Sequence, residues 1–183
     1  MPRDLPRKVA GQRIVRVGRR AKYLLLELES GTLLLHLGMS GNLRAVPAAT
    51  PRVRHDHFDL VLDSGLALRF NDPRRFGSLL YTPGEPHEHP LLAGLGPEPF
   101  SAAFDAEYLY RITRGRRVAL KQLLMNSRLV VGVGNIYASE ALFRARLRPG
   151  RAARSLSRRD AARLVRAMTQ GQRSTYYCPS CQK

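Results

Sequence analysis

A glycine-rich helix start lies at Val131-Gly132-Val133-Gly134-Asn135-Ile136-Tyr137-Ala138-Ser139-Glu140. The two glycines allow the chain to turn, and the apolar, alanine-rich residues after Asn135 favour a helix. Backbone N–H groups at a helix start and the carboxamide of Asn135 can both donate to a phosphate oxygen. The stretch therefore predicts an anion site. The alternative is an ordinary turn before a helix, and the rest of the sequence is needed to choose between the two.

The charge of the chain favours the anion site. The sequence has 31 Lys and Arg against 14 Asp and Glu, which gives a formal net charge of +17. Residues 111–128 carry no carboxylate, and their cations are Arg111, Arg114, Arg116, Arg117, Lys121 and Arg128. A surplus of this size predicts a polyanion as the partner. No run approaches the roughly 20 apolar residues of a membrane-spanning helix, so nucleic acid is favoured over a membrane. A genome with high GC content enriches arginine in all its proteins, and this bias would explain part of the surplus without a partner.

Length and composition predict a folded cytoplasmic protein. The 183 residues are 44% hydrophobic, which is enough for a core in one domain or two small ones. The first residues lack the apolar segment of a signal peptide, so we expect a cytoplasmic location. Two cysteines in such a protein are interpreted as thiols or metal ligands and not as a structural disulfide.

Periodicity and turn signals divide the chain into a β-rich first part and a helical second part. Strands are predicted at Tyr23–Leu28, Thr32–Leu37, Asn42–Val46, His57–Leu62, Leu66–Phe70 and Ser78–Tyr81. Helices are predicted at Ala106–Thr113, Val118–Asn126, Ile136–Ala145 and Arg158–Met168. Ser157 and Asp160 form a capping-box pattern at the start of the last helix. The Pro- and Gly-rich residues between the two parts predict a connector.

Seven runs, in order along the chain, resemble the formamidopyrimidine-DNA glycosylases, which are bifunctional base-excision repair enzymes. The runs are Arg19-Arg20-Ala21-Lys22-Tyr23-Leu24-Leu25-Leu26, His36-Leu37-Gly38-Met39-Ser40-Gly41, His55-Asp56-His57, Asp72-Pro73-Arg74-Arg75-Phe76-Gly77, Leu95-Gly96-Pro97-Glu98-Pro99, the helix start quoted above, and Gln172-Arg173-Ser174-Thr175-Tyr176-Tyr177-Cys178-Pro179-Ser180-Cys181-Gln182. They cover nearly all of residues 14–183.

The resemblance implies an α+β fold: an N-terminal antiparallel β-sandwich, followed by a helical domain with a helix-two-turn-helix unit and a remnant of a β-hairpin zinc finger. The expected boundaries are residues 1–82 for a shortened sandwich, 83–100 for the connector, 101–170 for the helical DNA-binding domain and 171–183 for the partial finger. Within this arrangement Asn135 stands at the head of the second helix of the helix-two-turn-helix unit.

The resemblance also implies a DNA-binding role for ten residues. Met39, Arg74 and Phe76 match the side chains that fill the space left by an extruded base, and Arg75 stands between the last two. Lys22, His55, Asn135 and Arg173 match a clamp on the phosphates around the extruded nucleotide, and Arg116 and Arg117 match a further position that touches DNA. Extrusion of a base costs a few kcal/mol, and side chains that occupy the space left in the duplex offset part of this cost. An aromatic ring and a flexible thioether suit this role.

The catalytic and metal-binding residues match the family only in part. Lys22 and Arg173 match residues that assist elimination, and the family's nucleophile is the amine of an N-terminal proline followed by glutamate. Here Arg3 follows Pro2, so two interpretations stay open: Pro2 as the amine after loss of Met1, or residues 1–13 as the stretch leading into the strand before Lys22, without the catalytic head. Cys178 and Cys181 resemble one half of a zinc site that needs four ligands.

The expected function is base-excision repair of oxidised purines, by base flipping, cleavage of the N-glycosidic bond and strand nicking by β/δ-elimination. The expected partner is double-stranded DNA with damaged or abasic sites, bound by a monomeric, nucleoid-associated bacterial protein without a membrane. A catalytically inactive DNA-binding fragment is the main alternative, so the sequence leaves enzyme activity open. An RNA-binding protein would explain the charge but not Asp72-Pro73-Arg74-Arg75-Phe76-Gly77.

Overall fold

The computed structural model describes residues 4–171, with side chains described as far as Met168. This part of the chain divides into two compact units between Ala93 and Gly94. The first unit is built mainly from antiparallel sheets and the second from helices. The fold is therefore α+β, which confirms the fold class expected from the sequence.

Two antiparallel sheets form the first unit. Its elements in chain order are α1 (Leu5–Val9), β1 (Ile14–Arg20), β2 (Tyr23–Leu28), β3 (Gly31–His36), β4 (Asn42–Pro47), β5 (Asp56–Val61), β6 (Leu66–Asn71), β7 (Ser78–Thr82), a 3-10 turn (Pro86–Glu88) and α2 (Pro90–Ala93). One sheet has the strand order β1-β2-β3-β7 and the other has the order β4-β6-β5. Strands β2, β3 and β6 are therefore the ones paired on both sides.

Side chains of both sheets meet in one buried cluster. Leu26, Leu33 and Leu35 come from the first sheet, and Phe58 and Phe70 come from the second. The two phenylalanine rings stack with centroids 5.1 Å apart. Aromatic stacking of this kind adds to the gain from removing apolar surface from water. The shared core holds the two sheets against each other and leaves the loops at their ends for other roles.

The register places several loops at one end of this unit. In the first sheet Tyr23 pairs with His36, and His36 pairs with Ser78. In the second sheet Asn71 pairs with both Asn42 and Asp56. The turn before β2, the turn between β3 and β4, the corner before β5 and the loop between β6 and β7 therefore leave the sheets at the same end.

The strands predicted from β2 onward are present, with bounds that differ by about one residue. Periodicity did not predict β1 or α1. Val15 and Val17 of β1 are 60% and 63% exposed, so the two alternating valines of this edge strand lie on its solvent side and do not mark a buried face. The helix α1 is only five residues long, and Leu5 is its one buried residue. The resemblance did anticipate a strand before Lys22.

The second unit packs its helices around an apolar core. Its elements are α3 (Ala106–Thr113), α4 (Leu120–Leu124), α5 (Asn135–Arg144), a 3-10 turn (Ala153–Ser155) and α6 (Arg158–Gly171). Leu109, Leu120, Leu142 and Leu164, each from a different helix, are completely buried. Within the described residues, no helix has the length and hydrophobicity needed to cross a bilayer.

Side chains cap the starts of α3 and α6. The helix α4 is shorter than predicted. Asp105 accepts a hydrogen bond from Tyr108 N at 2.7 Å, and Ser157 Oγ accepts one from Asp160 N at 3.1 Å, as the capping pattern predicts. The predicted helix Val118–Asn126 was too long, because Ala119 is extended and pairs with Ala152, and Val118 O accepts a hydrogen bond from Ala153 N. This pairing is remote in sequence, so helical periodicity could not show it.

Candidate nucleic-acid interface

Lys22 lies at the tip of the tight turn that joins β1 to β2. Ala21 takes the left-handed conformation there, with φ of 54°, and its carbonyl accepts a hydrogen bond from Arg19 NH1 at 2.7 Å. Ala21 is buried whereas Lys22 is exposed. The turn therefore holds the lysine at the sheet end where its ammonium group can meet an anion.

His36 lies beside Lys22, at the end of the neighbouring strand. Its ring is 4.9 Å from the ring of Tyr23, and its Nδ1 accepts a hydrogen bond from Gly38 N at 3.0 Å. Burial lowers the pKa of His36, and the nearby charge of Lys22 lowers it further. The imidazole is therefore neutral near pH 7 with its proton on Nε2, which leaves an N–H group able to donate.

Met39 and Phe76 are two large apolar side chains that are exposed at this end of the first unit. Met39 is 76% exposed and Phe76 is 58% exposed, in the turn after β3 and the loop before β7. Gly38 takes a φ of +67° and lies against the backbone of Phe76 and Gly77. The loops that carry the two exposed apolar side chains are therefore in direct contact.

Arg74 and Arg75 are exposed in the same loop as Phe76. Arg75 takes the left-handed conformation, with φ of 58°, and its N–H donates to Asp72 O at 3.3 Å. Asp72 itself is completely buried, and its carboxylate accepts from Ser40 Oγ at 2.5 Å and from Gly77 N at 2.8 Å. These bonds close the loop around a single carboxylate and turn the arginines outward.

His55 forms a corner before β5 and is joined to the same loop. It has a φ of 73°, and its carbonyl accepts from Asp72 N at 3.0 Å. His57 Nε2 is 2.7 Å from Asp72 O, so this second histidine has a structural partner. Of the two histidines in the run His55-Asp56-His57, His55 is therefore the one whose imidazole is not engaged with Asp72.

A buried ion-pair network supports the segment that leads to His55. Arg69, only 2% exposed, donates two hydrogen bonds to Asp59 and one each to the carbonyls of Thr50 and Pro51. Asp56 accepts from Val53 N at 2.8 Å, and its side chain is fully buried. The loop before His55 is consequently tied to β5 and β6 by side-chain bonds.

In the second unit, Asn135 begins α5 as predicted. Gly134 is the N-cap, and no side chain caps this helix start. Gly132 takes a φ of +75°, and nothing lies within 4 Å of the place where its Cβ would stand. Asn135 is exposed, and so are Arg116 and Arg117 in the segment between α3 and α4. A helix start that has no side-chain cap and an exposed carboxamide suits an anion.

Five of the sequence-predicted residues thus share one end of the first unit: Lys22, Met39, His55, Arg74 and Phe76, with Arg75 in the same loop. Arg116, Arg117 and Asn135 belong to the second unit. Pro2, Arg173, Cys178 and Cys181 lie outside the described residues. Within residues 4–171, no three His, Cys, Asp or Glu side chains are grouped so that they could hold a metal ion.

Comparison with known families gives a match in each unit. The model of the formamidopyrimidine-DNA glycosylase N-terminal domain matches residues 1–79, and the model of the H2TH domain of the same enzymes matches residues 95–172. Together the two matches cover most of the chain. The chain belongs to the formamidopyrimidine-DNA glycosylase family.

Individual relatives agree with this family. A formamidopyrimidine-DNA glycosylase of Thioalkalivibrio sulfidiphilus is 48% identical over 235 aligned residues, which cover all of this chain and 87% of the relative. That of Geobacter sulfurreducens is 56% identical over 168 residues, or 92% of this chain and 62% of the relative. The chain thus spans less than two thirds of the length of the second of these relatives.

Solved structures of the family have the same fold. The MutM (Fpg) protein of Thermus thermophilus matches with a TM-score of 0.78 and 46% identity, over 87% of this chain and 59% of that protein. Lactococcus lactis formamidopyrimidine-DNA glycosylase, bound non-covalently to DNA with an AP site, matches with a TM-score of 0.85 and 28% identity, over 91% of this chain and 65% of that protein. Another structure of the Lactococcus enzyme is a complex with FAPY-dG containing DNA.

The sequence analysis of this formamidopyrimidine-DNA glycosylase homologue predicted no role for His36 or Asp72, although both residues belong to the quoted runs. His36 could have been noticed as a polar residue that ends an apolar strand directly before the Met39 turn. Asp72 had no comparable signal, because its importance comes from donors at Ser40 and Gly77 that only the folded chain brings to it. The sequence does not show that the carboxylate of Asp72 is buried, because its burial depends on the packing of loops that are remote in sequence.

Proposed function

We propose that this protein binds double-stranded DNA at abasic or damaged sites and acts in base-excision repair of oxidised purines. The activity would comprise base flipping, cleavage of the N-glycosidic bond and strand nicking by β/δ-elimination. The observation that carries the proposal is the pair of contacting loops that exposes Met39, Arg74 and Phe76 at one end of the first unit. Support also comes from the relatives, two of whose structures contain DNA with an AP site or FAPY-dG.

The loop pair suits a duplex from which one nucleotide has been extruded. Phe76 would act as an aromatic wedge, Met39 would fill the remaining space, and the guanidinium of Arg74 would face the unpaired base. Proteins that unstack a base pair insert apolar side chains in this way, and the extra contacts to bent DNA offset the cost. Two exposed apolar side chains on contacting loops suit insertion into a duplex better than contact with an intact one.

Side-chain N–H donors and helix N–H groups would hold the phosphates. Lys22 and His55 of the first unit, and Arg116, Arg117 and Asn135 of the second, are the candidates, with Arg75 beside the wedge. Phosphate contacts release condensed counterions, so the affinity would fall steeply with salt and depend little on base sequence.

The chemical step would need groups beyond the described residues. An amine nucleophile at Pro2 could attack the sugar C1′ as the base leaves, and Lys22 and Arg173 would assist the later eliminations. Pro2 and Arg173 lie outside residues 4–171. Cys178 and Cys181 are the two cysteines of the sequence and supply half of the usual ligand set of structural zinc. They do not make a complete zinc site by themselves, and no step of the reaction is assigned to the metal.

Borohydride trapping tests the enzyme activity. The protein is incubated with a duplex containing 8-oxoguanine or an abasic site, and sodium borohydride reduces any imine to a stable covalent adduct. An adduct that migrates as protein joined to DNA, together with a nicked strand, is the expected result. The same duplex with an intact base pair at that position is the control and should give no adduct.

A catalytically inactive DNA-binding protein is the second candidate. Its support is Arg3, which follows Pro2 where the family has a glutamate that handles protons. It predicts no adduct and no nicking, together with salt-sensitive binding that favours the abasic duplex over the intact one. In either case we propose a monomer in the bacterial cytoplasm, associated with the nucleoid.

A further inference from the structure

Asp72 is a completely buried carboxylate for which the proposed function has no direct use. Its side chain lies between the Met39 turn and the Phe76 loop. Oδ1 accepts a hydrogen bond from Ser40 Oγ at 2.5 Å and is 3.3 Å from Arg74 N, while Oδ2 accepts one from Gly77 N at 2.8 Å. One carboxylate therefore receives donors from both loops that carry the exposed apolar side chains.

The backbone of Asp72 is bonded just as heavily. Its N–H donates to His55 O at 3.0 Å, and its carbonyl oxygen lies 2.7 Å from His57 Nε2 and accepts from Arg75 N at 3.3 Å. These contacts attach the corner before β5 to the same residue. Three segments that are far apart in sequence thus meet at one buried side chain and one peptide group.

We propose that Asp72 is a positioning residue that locks the Met39 turn and the Phe76 loop at a fixed spacing, so that both side chains enter a damaged duplex as one preformed wedge. The inference deepens the proposed function and rests on it. Asp72 would not touch DNA itself. It would act only through the loops that its two oxygens hold together.

Preformation matters because the wedge is carried by loops. A loop that must become ordered during binding loses conformational entropy, and this loss is subtracted from the affinity. Fixing the loops in advance removes that cost only where the wedge is used, which is at a site with a missing or extruded base. A positioning role therefore predicts a change in preference for damaged DNA and not a uniform loss of binding.

A carboxylate suits this place better than its amide. Ionised Asp72 is an acceptor at both oxygens and faces a hydroxyl on one side and a backbone N–H on the other. In either orientation of the amide of Asp72→Asn, the new NH2 group faces a backbone N–H of the Phe76 loop, that of Gly77 or that of Arg74, whereas the hydroxyl of Ser40 can turn to accept. The substitution keeps the size of the side chain and removes one acceptor for the backbone of the Phe76 loop, so that loop is held less firmly against the Met39 turn.

The experiment compares affinities of the full 183-residue protein for two duplexes that differ at one nucleotide. One duplex contains a tetrahydrofuran abasic analogue, and the other has an intact base pair there. The preference is the ratio of the two dissociation constants, measured by fluorescence anisotropy at fixed salt. For Asp72→Asn we expect the preference to fall roughly tenfold, with little change in binding to the intact duplex.

Two variants separate positioning from a loss of stability. Ser40→Ala removes the donor of the Met39 turn alone and should lower the preference by about threefold. Leu28→Ala removes a buried side chain at the opposite end of β2, where Leu28 pairs with Gly31. It destabilises the same sheet without touching either loop, so its preference should equal that of the wild-type protein at a temperature where both are folded.

A double-mutant cycle with Phe76→Ala tests whether Asp72 acts through the wedge. If it does, the double variant should lose less preference than the product of the two single losses, because only Met39 is then left for Asp72 to position. Losses that multiply would overturn the proposal, and so would an unchanged preference in Asp72→Asn. A wild-type protein without any preference would overturn the proposed function and this inference with it.

Discussion

A Cβ atom added to Gly38 would stand 2.6 Å from the carbonyl carbon of Phe76. The Met39 turn and the Phe76 loop are therefore packed backbone against backbone, at a distance that only glycine permits. The left-handed φ of +67° at Gly38 adds a second requirement for glycine. The exposed side chains at this end of the protein consequently depend on a residue that has no side chain.

Gly38→Ala should destabilise the first unit by about 3 kcal/mol or more, because it combines an unfavourable φ with a clash against backbone. Gly65→Ala is the matched control: Gly65 has a φ of +79°, but nothing lies within 4 Å of its Cβ position. That variant should lose only about 1 kcal/mol. Urea unfolding followed by circular dichroism measures both, and equal losses would show that the contact with Phe76 is unimportant.

Arg69→Met should lower the thermal midpoint of the first unit by about 10 °C, because the partly buried Asp59 and the carbonyls of Thr50 and Pro51 would lose their donor and the buried Asp56 would lose a nearby cation. The control is Arg16→Met, since Arg16 donates to Glu27 at 2.8 Å on the surface, where ion pairs contribute little. Thermal unfolding of both variants is the measurement. A midpoint for Arg69→Met that matches the control would contradict the structural role of the buried network.

Lys22→Ala should weaken DNA binding to all sequences and reduce the slope of log affinity against log salt by about 0.9, the value for one phosphate contact. Lys8→Ala is the matched control. Lys8, on α1, forms an ion pair with Asp4 and lies over Tyr81, towards the other end of β7. Its slope should equal that of the wild-type protein. The measurement is a titration at several salt concentrations, and an unchanged slope for Lys22→Ala would remove Lys22 from the interface.

Acid should destabilise the first unit through two carboxylates. The hydrogen bond from Ser40 and those from Gly77 and Arg74 lower the pKa of Asp72, and bonds from Val53 and Asn71 lower the pKa of Asp56. A lowered pKa contributes stability that is complete above the unfolded-state value, near about 3.9, and is lost as the pH falls through the folded-state pKa. We expect the thermal midpoint to be steady from about pH 7 to about pH 5 and to fall below about pH 4.

Asp72→Asn provides the control for this pH dependence. The variant should be less stable than the wild-type protein at neutral pH, and it should lose less on acidification because one of the two carboxylates is gone. Thermal unfolding between about pH 7 and about pH 3 tests this. Parallel curves for the two proteins would mean that Asp72 titrates alike in the folded and unfolded states.

Local patterns in the sequence were sufficient for most elements and for the class of partner. The helix Ala106–Thr113 and the strand Tyr23–Leu28 agree with their predicted bounds, because apolar periodicity and turn residues act over a few neighbouring positions. The surplus of Lys and Arg favours a polyanion whatever the fold. The quoted runs, in their order along the chain, also indicate the family without reference to the fold.

Interactions between distant residues could be settled only by the tertiary structure. The helix α4 begins at Leu120 because Ala119 pairs with Ala152, a residue remote from it along the chain. Lys22, Met39, His55 and Phe76 come to one end of the first unit through strand register, and Asp72 joins their loops through donors that are separated from it along the chain. Periodicity is a local property, whereas register, burial and shared hydrogen bonds arise only when remote segments pack together.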